Sequence, residues 1–222
     1  MSLPKISYPI NSINVPSLKK AFKFRPFLVR EEKLLLMAKE SGVDTDVLQA
    51  IKQVVNNCAV DDNFNVDKLA IFDLEYIFIK LRAMSVDNIV KVSYKDFQDE
   101  KVYDFEIDLN NIEMEMPKNI KNKIPITKTS GIVLRYPSAS LYDDKELLNS
   151  DKNYLYELIA RCIDTVYEGE TLFETKDYTL AEVKDFMDSL DVKTFENIKE
   201  FLVNLPKLRY VIKYKNSLDN DR

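Results

Sequence analysis

The chain has 222 residues, a formal net charge of −5, and 45% apolar against 31% charged residues. That length suits one compact domain or two small ones closely joined, with enough apolar residues for a core. The acidic balance lacks the basic face a nucleic-acid binder normally carries, and only three glycines (Gly42, Gly131, Gly169) leave no Gly-rich phosphate loop or flexible linker.

Residues 1–28 read as extended. Pro4, Pro9 and Pro16 punctuate the segment, and Phe22 and Phe24 alternate with Lys23 and Arg25 as in a half-buried strand. A hairpin turning at 17–20 is the simplest arrangement. Residues 30–41 turn helical, with Glu31 and Glu32 at the positive end of the helix dipole and Gly42 as terminator. A second helix starts after Asp44, placed as its N-cap, and sets Val47, Leu48, Ile51, Val54 and Val55 on one stripe. Beyond a polar loop at 61–65, a third helix over 67–84 is apolar around much of its circumference. That is the pattern of a core helix; the alternative is a partner-binding helix exposed in the free protein.

Past this helix the period changes from 3.6 to 2. Strands are expected at 89–94 and 102–109. In the second, Tyr103, Phe105, Ile107 and Leu109 share one face, and Asp104, Glu106 and Asp108 the other. The alternation continues through 111–116, a loop follows at 117–129, and 131–136 is a short strand. This reads as an antiparallel meander with one wet, acidic face. The last third is helical. Tyr154, Leu158, Ile159, Cys162, Ile163 and Val166 repeat at helical spacing, giving a helix over 154–166. Thr179 and Glu182 form a capping box ahead of Val183, Phe186, Met187 and Leu190. Another helix, with Phe195, Ile198 and Leu202, stops at Pro206. A closing strand puts Leu208, Tyr210, Ile212 and Tyr214 on one side and Arg209 and Lys213 on the other, before a polar tail at 216–222. The fold class is α+β. It comprises an N-terminal β-hairpin arm (1–28), a helical subdomain (29–85), an antiparallel β-meander (86–137) and a C-terminal helical part ending in a strand (138–222), integrated as one domain.

Reaction chemistry is scarce. There is no histidine, which removes the Ser-His-Asp and Cys-His arrangements, the common zinc sites and the usual base near neutral pH. Cys58 and Cys162 read as buried thiols of a reducing compartment. Asp61, Asn63, Asn65 and Asp67 fit the start of a calcium loop, but Val66 stands where Gly is needed and Phe72 where a bidentate Glu is needed. The segment is therefore an inter-helix turn. Glu106 and Glu113 could be drawn as a glycosidase pair, but alternation puts both on a solvated strand face. Lysines and arginines at 19–30 interleave with Phe22, Phe24 and Phe27, yet the alternation turns those rings toward the core. Residues 1–5 show no apolar run of the signal-peptide kind, and the most apolar stretch, 69–81, is too short for a bilayer span and carries Asp73, Glu75 and Lys80. No cofactor, metal, nucleic acid or membrane is expected, and the protein is placed in the cytoplasm.

Several stretches follow one another in a specific order. They are Leu3-Pro4-Lys5 with Asn14-Val15-Pro16-Ser17; Phe24-Arg25-Pro26-Phe27-Leu28-Val29-Arg30-Glu31-Glu32-Lys33 leading into Leu34-Leu35-Leu36-Met37-Ala38; Arg82-Ala83-Met84-Ser85-Val86; Gly131-Ile132-Val133-Leu134-Arg135-Tyr136-Pro137; and Asn204-Leu205-Pro206-Lys207-Leu208-Arg209-Tyr210. Together they resemble the baseplate hub proteins of T4-type contractile phage tails, over nearly the whole chain. The resemblance implies a non-enzymatic role in assembling the baseplate hub, through contacts with other hub proteins. It leaves open whether the chain is a subunit retained in the virion tail or an assembly chaperone acting in the host cytoplasm, and whether it oligomerises. The strand pair feeding a Glu-Glu helix also looks loosely like tail assembly chaperones, which favours the second. No active-site residues come with the resemblance. The candidate contact residues are Phe22, Phe24, Arg25 and Phe27 on the arm, Asp104, Glu106 and Asp108 on the acidic strand face, and Arg209, Tyr210 and Lys213 on the terminal strand, whose free edge could add to a partner's sheet. The competing readings are a carboxylate-based cell-wall hydrolase of the tail and a nucleic-acid-binding protein.

Overall fold

A computed structural model describes residues 6–118, 120–150 and 153–218. The motif at 3–5 and the end of the polar tail, 219–222, lie outside the described residues. Helices and antiparallel strands occur in separate stretches, an α+β arrangement. The chain divides into two compact units. The first takes the residues up to Val66, Phe72–Glu115 and the residues from Lys207 onward; the second takes Asp67–Ile71 and Met116–Pro206.

The first unit opens with a hairpin of β1 (Asn11–Val15) and β2 (Lys20–Phe24), in which Ile13 faces Phe22 and Val15 faces Lys20. Alternation decides its two sides: Ile13, Val15, Phe22 and Phe24 are buried while their neighbours are exposed. α1 (Val29–Ser41) ends at Gly42, whose φ of 69° is the left-handed conformation glycine adopts without strain. α2 (Asp44–Cys58) differs from expectation at its first residue. Asp44 lies inside the helix and Val43, which offers no acceptor, holds the cap position; Asp44 and Asp46 instead complement the dipole from the first turn. Ala50, Val54, Val55 and Cys58 form its buried face.

α3 (Ile71–Ser85) begins later than the expected 67. Residues Val66–Lys68 form a 3₁₀ turn, and the main chain is then tied in extended form, with Ala70 bridging Ser138 and the Ile71 N–H donating to the Pro137 carbonyl at 2.9 Å. Phe72, Leu74, Ile77 and Leu81 are buried, so α3 is a core helix. β3 (Ile89–Lys95) and β4 (Val102–Asp108) form a second hairpin, and β5 (Glu113–Glu115) pairs with the last strand, β10 (Lys207–Arg209). The closing strand is thus shorter than expected. β5 supplies only three ladder positions, and the chain beyond leaves to pack Tyr214 against Tyr103 and Phe105, with ring centroids 5.0 and 5.1 Å apart.

The second unit contains a four-stranded antiparallel sheet in the order β6 (Lys123–Pro125), β7 (Ser130–Leu134), β8 (Ile163–Glu168), β9 (Thr171–Glu174). β6 lies where a loop was expected. The expected helix over 154–166 stops early: α5 (Tyr154–Cys162) gives way to β8 at Ile163. The β-branched Ile163, Thr165 and Val166 fit a pleated strand, and Gly169, at φ 59°, makes the turn into β9. Gly131 has a different reason to be glycine. The Tyr167 ring and the Ile124 carbonyl lie where its side chain would stand. α4 (Lys145–Leu148), α6 (Leu180–Asp188) and α7 (Val192–Val203) complete the unit. Its core gathers Ile124, Ile132, Ile159, Ile163, Ile198 and Leu202. The capping box forms as expected, with the Glu182 N–H donating to Thr179 Oγ1 and the Thr179 N–H to Glu182 Oε2.

Candidate partner-binding surfaces

All ten candidate contact residues fall in the first unit. On the arm, sequence alternation turns Phe22 and Phe24 inward, where both meet Phe64 edge-on at 5.2 Å. Phe27 stacks on Phe78 at 5.9 Å, and its N–H donates to Ser85 Oγ at 2.8 Å. The main chain is fixed as well. The Arg25 N–H donates to the Cys58 carbonyl and the Val60 N–H to the Lys23 carbonyl, both at 2.9 Å, while the Lys23 N–H donates to Asp61 Oδ2 at 2.7 Å. The same Asp61 opens the rejected calcium register, in which Val66 and Phe72 are buried.

Arg25 is the centre of this latch. Its guanidinium donates to both carboxylate oxygens of Glu31, at 2.9 and 3.2 Å, and to the Asn57 carbonyl at 2.7 Å. Glu31 is the buried residue of α1, and it also accepts from Arg30 Nε at 2.7 Å and from the Leu28 N–H at 2.9 Å. Burial pushes the Glu31 carboxyl up. The hydrogen bonds from Arg25, Arg30 and Leu28 outweigh that and hold it at about 2. Arg25, Phe22, Phe24 and Phe27 therefore join the arm to the unit's own helices, and a partner arriving at the arm meets Leu18, Lys20 and Lys23 on the outer side.

The acidic face is real but unevenly free. Asp104 and Glu106 are exposed, with Ser93 Oγ 2.6 Å from Asp104 and Lys91 Nζ 3.5 Å from Glu106. Asp108 instead accepts from Asn88 Nδ2 and from the Asn110 N–H, each at 2.9 Å, and these bonds hold its carboxyl below the ordinary range. At the terminal strand, Arg209 lies opposite Glu113 and reaches Glu115 Oε2 at 3.0 Å. One edge of β10 is thus already used by β5. Tyr210 and Lys213 are exposed on the segment beyond the ladder.

Exposed apolar side chains lie on α1 rather than on α3. Val29, Leu36 and Met37 are 85%, 51% and 59% exposed. Sequence reasoning missed this because four consecutive apolar residues, Leu34 to Met37, imply burial without saying on which side. Phe97, between β3 and β4, is 86% exposed, with its ring edge-on to Tyr94 at 6.4 Å.

Glu106 and Glu113 lie on different two-stranded sheets, beside Lys91 and opposite Arg209. Cys58 and Cys162 are buried free thiols, pushed up to about 11 and about 12 by burial, so neither is a ready thiolate. Among the described residues no three His, Cys, Asp or Glu side chains are placed to hold a metal ion, and no helix is long and apolar enough to cross a membrane.

Residues 7–221 match the family model described as T4 bacteriophage base plate protein. No curated protein and no solved structure matches the chain.

Proposed function

The chain belongs to the T4 bacteriophage base plate protein family, and from that premise we propose that it takes part, without catalysis, in assembling the baseplate hub through contacts with other hub proteins. The observation that carries this reading is the family match over nearly the whole chain. The surface supports it. Exposed apolar residues on α1, the exposed carboxylates Asp104 and Glu106, and Arg209, Tyr210 and Lys213 are contact material. The protein acts in the host cytoplasm during assembly, as a hub assembly chaperone or as a hub subunit that remains in the tail.

The test is deletion of the gene in the phage, combined with quantitative mass spectrometry of infected-cell lysate and purified mature particles. The expected result is tails lacking a complete hub. A fixed low copy number per particle identifies a retained subunit; presence in lysate with absence from particles identifies a chaperone. Complete hubs in the deletion strain would overturn the proposal. Replacing Asp104 and Glu106 by Lys is expected to weaken partner binding, more so at low salt. Affinity that stays constant across a salt series would remove that face from the contact set.

A further inference from the structure

The sheet of the second unit has two outer edges built in different ways. β6 carries Lys123 and Pro125, with Lys121 just ahead of it. Lysine and proline on an edge strand hinder the addition of further strands. β9 has neither. Thr171, Leu172, Phe173 and Glu174 are all exposed and pair in unbroken register with β8, the strand's sole ladder partner among the described residues. Such an edge offers a row of main-chain N–H and C=O groups to an incoming strand.

Beside β9 the apolar side of the sheet stays open. A groove of about 710 Å³ runs between Val166 and Phe173 on the strands, Phe186 on α6 and Leu190 just past its end. Val166, Phe186 and Leu190 pack against the unit's core, so that core continues outward to the strand edge without a cover. The surroundings are acidic. Glu168, Glu182 and Asp191 line the groove, and Glu170 lies in the β8–β9 turn. Glu182 and Asp191 also cap α6 and α7, and those hydrogen bonds keep both carboxyls below the ordinary range, so they remain charged. The single basic residue between β9 and α6, Lys176, is paired with Glu174.

We propose that β9 receives an extended strand of a partner protein that carries apolar residues at every second position along its middle and Lys or Arg at both ends. The partner's main chain extends the sheet, its apolar side chains fill the groove over Phe173, Phe186 and Leu190, and its cations meet the acidic rim. The inference deepens the hub reading and rests on it for the partner being a protein.

The experiment is a titration of the isotope-labelled full chain, followed by amide NMR, with a ten-residue peptide in which Val alternates with Thr between two Lys residues at each end. Two comparison peptides are used: one N-methylated at alternate residues, with its charge unchanged, and one with Glu in place of Lys. The expected result is shifts concentrated at 171–174 and around Tyr178, Phe186 and Leu190. N-methylation should weaken affinity about tenfold or more, the effect of losing about two main-chain hydrogen bonds, and the Glu peptide should not bind. No binding of the Lys peptide, shifts centred elsewhere, or equal affinity of the N-methylated form would overturn the proposal. So would the same shifts appearing on raising the protein concentration alone, since the occupant would then be a second copy of this chain. Failure here leaves the hub reading standing if the deletion strain still lacks hubs; complete hubs in that strain sink the hub reading whatever the peptide does.

Discussion

Among the described residues, the strands of the first unit form three separate two-stranded ribbons, whereas the second unit holds one sheet of four strands. A two-stranded ribbon is marginal by itself, because it cannot present a wide enough apolar face. Polar side chains secure each ribbon of the first unit. Asp73 binds Ser17 in the β1–β2 turn, and Arg25 binds Glu31 just after β2. Lys80 Nζ donates to the carbonyls of Leu109, Asn110 and Ile112, between β4 and β5. Asp99 accepts from Tyr103 Oη and from the Ser217 N–H, bringing the C-terminal segment back to the second hairpin. The second unit has a continuous apolar cluster, and in its main ion network the carboxylates that hold Arg161 reach water more than Glu31 does. Polar latches stabilise only when every group is satisfied, whereas apolar contacts fail gradually. The first unit should therefore be the more sensitive to loss of a single charge.

The largest test of that difference is Glu31→Gln. The side chain of Glu31 is fully buried and that of Arg25 is 16% exposed. Removing one member of a buried pair costs about 3–5 kcal/mol, read as a drop in the urea midpoint with an unchanged slope. The effect depends on pH with a definite sign. The folded carboxyl is held at about 2, below the unfolded value of about 4.3. The native state therefore releases this proton more readily than the unfolded state. The stabilisation is present above the unfolded value and is lost as pH falls through the folded one, between about pH 5 and about pH 2. Over that window the gap between the native chain and Glu31→Gln should shrink. A gap independent of pH would show that the Arg25–Glu31 charge pair is not the source of the stability.

Arg161→Met is the matching change in the second unit and should cost less. Arg161 donates to Asp144 Oδ2 at 2.5 Å and to Glu157 Oε2 at 2.6 Å. Its partners are less enclosed than Glu31, with side chains 28% and 13% exposed. Glu157 also keeps Lys184 at 2.7 Å after the change. A cost of about 2 kcal/mol is expected, that of weakened charged hydrogen bonds whose acceptors still reach water. If Arg161→Met proved as damaging as Glu31→Gln in the same urea series, the contrast between the units would collapse.

What could be seen in the sequence follows from how local each cause is. α2, α6 and α7 were visible because their apolar stripes, and the capping box of α6, lie within one or two turns of chain. The inward face of the arm was visible because Phe22 and Phe24 alternate with lysine and arginine. The change from α5 to β8 was hidden by a coincidence of periods. Ile159, Cys162, Ile163 and Val166 satisfy the helical spacing even though the last two belong to a strand; the β-branched residues and Gly169 were the better guides. β6, three residues long, is too short to show any period and exists through its ladder with β7. The latches are harder still. Asp96 and Tyr214, joined at 2.8 Å, are 118 positions apart, and no local pattern pairs them. The resemblance includes the segment holding Arg25 and Glu31, yet only the fold shows that the two form a buried ion pair. The exposed side of α1 could not be seen either, since burial depends on what packs where.

The smallest expected effect tests the local end of that scale. Thr179 and Glu182 cap α6 on the surface of the second unit, with each side chain accepting the other's main-chain N–H. Thr179→Ala removes the acceptor for the Glu182 N–H but leaves both groups open to water, which replaces much of the lost bond. The cost should be about 1 kcal/mol, typical of N-cap removal, or a melting shift of about 2–4 °C in a chain of this size. The cap is formed by neighbours in sequence, so the loss should be indifferent to changes elsewhere. In combination with Glu31→Gln the two costs should add within about 0.5 kcal/mol. A larger departure from additivity would mean that the surface cap and the buried latch are energetically coupled, and the division into one brittle and one tolerant unit would have to be abandoned.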